Sequence, residues 1–349
     1  MRSHVGPYRV EFADGPLPSF EDLSGSPHLV VDERVARLHG DALAAVLDSR
    51  PTLGIEATEA AKSLERFPGY VQALVSGGIR RGDVIVAVGG GIVQDIACFL
   101  AATLMRGIEW WFVPTTLLAQ ADSCIGSKSS INVGELKNIL GTFTPPARVH
   151  LWPGYLATLE ERELRSGVGE MLKVHAIEGP ASFDRIARDY DRLFGDSAVM
   201  QRYVRASLEI KRGVIEEDEF DRGARNVMNY GHSFGHAIES ATRFAIPHGI
   251  AVTIGMDMAN FVSMQLGPGT AETYERMRPV LAANAAGCGD VTIEADAVVE
   301  AIGKDKKNVG ADLRLVLPDE SGRIGLVRRP NDESFRAVCA EYLRNARPR

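Results

Sequence analysis

The sequence predicts a doubly wound α/β domain followed by a mostly helical one. Three observations carry this. Short apolar runs alternate with helical patterns over the first half, a glycine turn joins one such run to a helix, and helical periods dominate from about Leu159 through Leu266. Alternation of strands and helices reads as βαβ units around a parallel sheet. At 349 residues a single core is near its limit, so the chain is divided into residues 1–160 and 161–349.

The elements follow in order. His28–Asp32 reads as a strand that leaves the sheet at Asp32. Glu56–Ser76 reads as helical, with a turn near Pro68-Gly69 and a stop at Gly77-Gly78. Asp83–Val88 is a continuous apolar run suited to a parallel strand buried on both faces, and it leads into Gly89-Gly90-Gly91. Ile92–Met105 is a helix of small residues, Trp110–Val113 a strand, and Arg148–Leu151 the last strand of the first domain, with Pro145-Pro146 in the loop before it. In the second half only Leu313–Leu317 and Ile324–Val327 read as strands, separated by a turn at Asp319–Gly322.

Composition narrows the function. With 39 basic against 46 acidic residues the net charge is −7, and no long basic run interrupts it. That excludes nucleic acid and anionic membrane as expected partners. Cys98, Cys124, Cys288 and Cys339 form no CxxC, which argues against a disulfide framework or a cysteine-held zinc and for a reducing compartment. The opening MRSHVGPYRVEF lacks the layout of a signal peptide, and Arg106 and Glu109 cut the apolar stretch near residue 100. A cytoplasmic protein is expected.

Glycines between a strand and a helix let a pyrophosphate approach the backbone at a helix N-terminus. Here Gln94 stands where the third glycine of GxGxxG belongs, so a plain tight turn and a nucleotide site fit equally well. Asp95 follows, either as a surface carboxylate or as an acceptor for a ribose.

The histidines are more pointed. His232, His236 and His248 fall in one window, and His232 and His236 share a helical face. A lone histidine on a buried face is ordinarily structural. Three in this spacing favour a metal, with Glu170 as the carboxylate and not every imidazole needed as a ligand. Lys128, Lys137, Asn138, Lys173, Lys211 and Arg225 stand among small or apolar residues, in segments (Gly126–Asn132, Leu136–Asn138) read as loops around something anionic. Lysine suits phosphate as a point charge, and the arginine fork suits a carboxylate. Lys304–Gly310 is a third basic loop, and Glu216–Glu219 reads as a solvated acidic one. An acidic chain with these cations expects a small, multiply anionic substrate.

With these residues in order, the chain resembles the 3-dehydroquinate synthase family of sugar phosphate cyclases, from about Asp32 to Val327. The motifs are Gly89–Asp95, Met105-Arg106-Gly107, Pro114–Ser123, Lys137-Asn138, Glu170–Lys173, Arg225–Glu239, His248-Gly249 and Asp305-Lys306-Lys307. The resemblance implies a Rossmann-like NAD-binding domain, a helical metal-binding domain and an active site in the cleft between them. It implies zinc or cobalt on Glu170, His232 and His248. NAD would meet Gly89, Gly90, Gly91, Asp95, Thr115, Thr116, Asp122, Lys137 and Thr158, with Asp32, Glu59 and Lys62 at the adenosine end. Lys128, Asn138, Asn229, His236 and Lys306 or Lys307 would form the phosphate pocket, with Arg106 supplied by the neighbouring subunit of a homodimer. Lys211 and Arg225 would hold the substrate carboxylate, and Lys173 would lie near the reacting hydroxyls.

The implied reaction eliminates phosphate from 3-deoxy-D-arabino-heptulosonate 7-phosphate and closes 3-dehydroquinate, a shikimate-pathway step of aromatic amino acid biosynthesis. The family usually has Gly-Gly-Lys-Thr where this chain has Gly126-Ser127-Lys128-Ser129, Gly at Leu136, Ala at Gly169 and Glu at Ile250. These departures leave open a specialised cyclase for a related sugar phosphate. An NAD- and metal-dependent alcohol or polyol dehydrogenase, and a non-catalytic paralogue, are the remaining readings.

Overall fold

A computed structural model describes every residue except 22, 24, 221, 222, 305–311 and 349. The chain divides into two compact units. The first holds Met1–Glu160 with Arg212–Phe220, and the second holds Glu161–Lys211 with Asp221–Arg349.

The first unit is built on a six-stranded parallel sheet in the order β1-β8-β5-β4-β2-β3. The strands are β1 (Arg9–Phe12), β2 (Pro27–Asp32), β3 (Thr52–Ile55), β4 (Val84–Gly89), β5 (Glu109–Pro114) and β8 (Arg148–Leu151). Every residue of β4 is buried, as a central parallel strand covered on both faces requires. Leu29, Val31, Val86, Val88, Trp111 and Val113 form the core on one face, closed by Tyr155. Helices α1 (Glu33–Leu38), α2 (Gly40–Leu47), α3 (Phe67–Ser76) and α4 (Gly91–Thr103) flank the sheet. A small antiparallel hairpin, β6 (Ile131–Val133) with β7 (Leu136–Leu140), completes the unit.

Four expectations are corrected. Glu56–Ser76 is not one helix but two short 3₁₀ turns, Glu59–Lys62 and Leu64–Arg66, running into α3. Pro68-Gly69 does not break α3, because it lies in the first turn, where proline's missing N–H is not needed. Leu136-Lys137-Asn138 lies on β7 rather than in a loop.

The segment Glu216–Glu219 is not a solvated loop either. Glu219 is 2% exposed. It accepts hydrogen bonds from Ser3 Oγ at 2.6 Å and from the backbone N–H of His4 at 2.6 Å, and its Oε2 lies 3.0 Å from His4 Nδ1. Arg2 pairs with Glu216, and Tyr8 Oη accepts the Gly126 N–H. The N-terminal segment supplies these partners, so the acidic run is a fastening point.

The second unit is helical: α5 (Glu161–Glu178), α6 (Pro180–Arg188), most of α7 (Ser197–Glu217), α8 (His232–Ala241), α9 (His248–Leu266), α10 (Ala271–Ala285), α11 (Ala295–Gly303) and α12 (Glu333–Glu341). Its strands are an antiparallel hairpin, β9 (Asp312–Pro318) with β10 (Ile324–Pro330). Helix α9 is buried almost throughout. Among the described residues no helix is long and apolar enough to cross a membrane, and the four cysteines are free and buried.

Candidate active site

Strand register assembles the polar edge of the first unit. Val31 pairs with Val88 across β2 and β4, and Gly89 with Pro114 across β4 and β5. Asp32, Gly89–Gly91 and Thr115-Thr116 therefore emerge side by side at the carboxyl ends of three neighbouring strands, the edge where open α/β sheets hold ligands. Asp32 caps α1 through the Arg34 N–H. A Cβ on Gly90 would lie 2.9 Å from Thr116 Cγ2, so this glycine serves the protein's own packing. A Cβ on Gly91 would meet nothing within 4 Å, which leaves room in front of the α4 N-terminus for a ligand.

The other residues assigned to the cofactor fall in several places. Lys62 reaches Asp95 Oδ2 at 3.1 Å and Asn138 Oδ1 at 3.0 Å, and its Nζ lies 3.6 Å from Glu59 Oε1. Burial raises the Asp95 carboxyl to about 6, with Lys62 pulling the other way. Thr158 is engaged with His39 at 2.9 Å. Asp122 sits in the π-helical turn Ala119–Ser123, and Lys128 and Lys137 are exposed. Arg106, also exposed, has φ 70° beside Met105 at 51°, a left-handed pair that only surrounding structure holds in place.

In the second unit, backbone contact draws the candidate metal residues together. A Cβ on Gly169 of α5 would run into the Gly249 carbonyl oxygen of α9, and one on Gly249 into the Ser166 carbonyl oxygen. Gly231, at φ 74°, lies against Val252 and Met256. Each of these glycines is the immediate neighbour of a candidate ligand: Glu170, His248 and His232. Small residues at the crossings let α5, α8 and α9 approach closely, which places three side chains from three helices on one point.

The geometry there is specific. Glu170 Oε1 lies 3.6 Å from His232 Nε2 and 3.4 Å from His248 Nε2. One ligand nitrogen each of His232, His236 and His248 lie within 4.8 Å of one another. His232 Nδ1 faces the Tyr230 carbonyl at 3.3 Å, and His248 Nδ1 faces both Glu239 oxygens at 3.2 Å. A ring nitrogen that donates to an oxygen is protonated, so in each neutral imidazole Nε2 carries the lone pair toward Glu170, open to a cation or a proton. Glu170 is 1% exposed, and its Oε1 has no hydrogen bond among the described residues. Its other oxygen is paired with Lys173 Nζ. Lys173 is also buried.

Electrostatics describe the same deficit. Burial alone would raise the Glu170 carboxyl, but Lys173 and the imidazoles hold it well below the usual carboxylate range. Burial and the Lys173 charge keep His232 neutral. Burial opposes charge on His248 too, yet Glu170 and Glu239 outweigh it and push that imidazole up to about 10. Two carboxylates against one ammonium draw a proton onto His248, where a cation would serve the same end. Nitrogen and carboxylate donors in this number suit a zinc-like divalent ion. The residues present fit such a metal.

Lys211 is 6% exposed and Arg225 9%, deep burial for two cations. Asn229 donates to the Asn226 carbonyl, and His236 is exposed. Lys306 and Lys307 lie outside the described residues. Sequence reasoning missed the role of Glu239, although it continues the His232, His236 stripe at i+7 and so had a signal. It also missed Asn132, which is 5% exposed and holds the Asn138 backbone.

A Rossmann-like α/β sheet joined to helices that gather imidazoles and a carboxylate defines a class of two-part enzymes. Within it, the chain belongs to the 3-dehydroquinate synthase family: residues 52–166 match the family's N-terminal model and residues 167–308 its C-terminal model. The 3-dehydroquinate synthase of Paracoccus denitrificans is 36% identical over 324 residues, covering 90% of this chain and 88% of that protein. Among solved structures, 2-epi-5-epi-valiolone synthase from Streptomyces hygroscopicus subsp. jinggangensis, with NAD+ and Zn2+ bound, matches with TM-score 0.83 and 28% identity over 97% of this chain and 96% of that one. A 2-deoxy-scyllo-inosose synthase complexed with carbaglucose-6-phosphate, NAD+ and Co2+ shares the fold, with TM-score 0.82 and 21% identity over 96% of each chain.

Proposed function

We propose that this chain is an NAD- and metal-dependent carbon–oxygen lyase that eliminates phosphate from 3-deoxy-D-arabino-heptulosonate 7-phosphate and cyclises it to 3-dehydroquinate. It would work in the cytoplasm as a homodimer of two-domain subunits, 1–160 and 161–349. One observation carries the reading: in a member of this family, Nε2 of His232, Nε2 of His248 and Oε1 of Glu170, an oxygen with no hydrogen bond among the described residues, converge on one point. Acceptors facing acceptors inside a protein are stable only around a cation or a proton.

Bound NAD and zinc or cobalt supply a transient oxidation of a ring hydroxyl and polarisation of its oxygen. The chain's residues do the rest. Glu170, His232 and His248 hold the metal. Lys173, fixed by Glu170, keeps a positive charge beside the reacting hydroxyls and stabilises oxyanion character there. Lys211 and Arg225, already stripped of water, grip the carboxylate that stays on the substrate. Lys128, Asn138, Asn229 and His236, with Lys307 and the partner-supplied Arg106, hold the phosphate that leaves. Asp32, Glu59, Lys62, Gly89–Gly91, Asp95, Thr115, Thr116, Asp122, Lys137 and Thr158 serve the dinucleotide.

The substitutions at Gly169, Ile250 and Leu136, and the likeness to a valiolone synthase, favour a second reading as a specialised cyclase for a related sugar phosphate. Incubation of the protein with NAD, zinc and the heptulosonate phosphate, following phosphate and NADH together, tests both. Phosphate release without stoichiometric NADH is the expected result. Release only from another sugar phosphate selects the specialised cyclase. Net NADH from simple polyols refutes both in favour of a dehydrogenase.

A further inference from the structure

His39 stands between α1 and α2, at the N-cap of α2, yet its side chain does not cap that helix. The half-buried ring turns instead to the 3₁₀ turn Pro153–Thr158 that follows β8. It meets Tyr155 edge-on with ring centroids 4.8 Å apart, and Trp152 with centroids 6.1 Å apart. Tyr155 is held in turn by donating its hydroxyl hydrogen to the Pro16 carbonyl at 2.9 Å. Aromatic packing therefore sets the plane of the His39 ring and brings Nε2 to 2.9 Å from Thr158 Oγ1.

The hydrogens in this contact can be counted. A threonine hydroxyl has one hydrogen and two lone pairs. Thr158 Oγ1 also lies 3.2 Å from the Tyr155 carbonyl oxygen, which can only accept, so the hydroxyl hydrogen goes there. His39 Nε2 is then the donor, and the tautomer follows from its partner. With Nε2 unprotonated, one hydrogen would have to serve two acceptors. Burial holds the His39 imidazole below its ordinary pKa, so the neutral ring carries its one N–H toward Thr158. Thr158 keeps a single lone pair of fixed direction and no hydrogen to give.

We propose that His39 is a positioning residue for the dinucleotide, fixing the Thr158 hydroxyl as an acceptor for an N–H or O–H group of the cofactor. The inference rests on Thr158 serving NAD, and it adds a residue outside the set that meets the cofactor. It also states the chemistry: an acceptor at this point suits a ribose hydroxyl or an amino group and repels a phosphate oxygen.

The test is a double-mutant cycle on the zinc-loaded protein, with NAD titrated by calorimetry. His39→Phe keeps a ring against Tyr155 and Trp152 but removes the donor, and Thr158→Val removes the hydroxyl. Each is expected to weaken NAD about tenfold. The double variant is expected to be no more than about twofold weaker than Thr158→Val, since residues acting as a unit are not additive. His39→Gln, whose amide nitrogen can reach Thr158 as Nε2 does, is expected to restore most of the affinity, a result that loss of packing alone does not give. Should His39→Phe not fold, His39→Asn, too short to reach Thr158, is expected to weaken NAD by the same factor.

Additive losses of about a hundredfold in the double variant would overturn the proposal. So would unchanged NAD affinity in His39→Phe beside a weakened Thr158→Val, which would make His39 a packing residue only. Unchanged affinity in Thr158→Val would instead remove Thr158 from the cofactor set, and the inference with it.

Discussion

The two polar clusters of this molecule are built on opposite plans. In the first unit, Lys62, Asp95, Asn138, Asn132 and Glu59 close on one another, donor to acceptor. In the second, Glu170, His232 and His248 turn acceptors toward a common point, and Glu170 Oε1 is left without a hydrogen bond among the described residues. A closed network holds its geometry without help. An open one carries an electrostatic debt that only a cation or proton settles, so its charge state changes on loading. Both clusters are polar and partly buried, and what separates them is whether their acceptors find donors.

The largest expected effect breaks the open cluster. Glu170→Ala removes the one carboxylate on which both imidazoles converge, and with it the ion pair to the buried Lys173. Turnover is expected to fall about a thousandfold in kcat/KM, roughly 4 kcal/mol of transition-state stabilisation. Elemental analysis is expected to find little bound zinc. Full activity and stoichiometric zinc in this variant would place the metal elsewhere and erase the contrast between the clusters.

How much of this was legible depends on the signal each residue leaves. Strand β4 was readable because a parallel strand buried on both faces must be a continuous apolar run, and Asp83–Val88 is one. Strand β3 (TLGI) is short, has a glycine and lies at the sheet edge, and β7 (LKNIL) is exposed throughout, so neither has a pattern to read. His232 and His236 announced themselves through helical spacing. Glu170 was named as the carboxylate completing the histidine set and matched by its motif, but its meeting with His232 and His248 comes from tertiary packing at Gly169 and Gly249. Glu219 was misread because an acidic run looks solvated until its partners, Ser3 and His4, are known, and they lie more than 200 positions away.

A smaller effect sharpens the closed cluster. The Asp95 carboxyl is raised to about 6, chiefly by burial. A carboxyl raised on folding binds its proton more tightly in the native state. Its contribution to stability is therefore fully present below pH 3.8 and is lost as pH rises through about 6. Relative to Asp95→Asn, the wild type is expected to lose about 2 kcal/mol between pH 4 and pH 7, read from urea unfolding. A difference that stayed flat across this range would mean that Lys62 fully compensates the burial, and that the cluster is tighter than its distances imply.

The smallest effect lies where the open cluster is itself supported. Glu239 holds His248 Nδ1 with both oxygens at 3.2 Å, which sets the tautomer and aims Nε2 at Glu170. Outer partners of metal-bound imidazoles are worth about 10- to 100-fold in metal affinity. Glu239→Gln keeps one acceptor for Nδ1–H and removes only the charge, so about a tenfold loss of zinc affinity by calorimetry is expected. Glu239→Leu removes the acceptor too and is expected to lose more. Equal affinities for wild type, Gln and Leu would show that the helices alone orient His248, and that the open cluster depends on packing at Gly249 rather than on a chain of hydrogen bonds like the one that closes around Lys62.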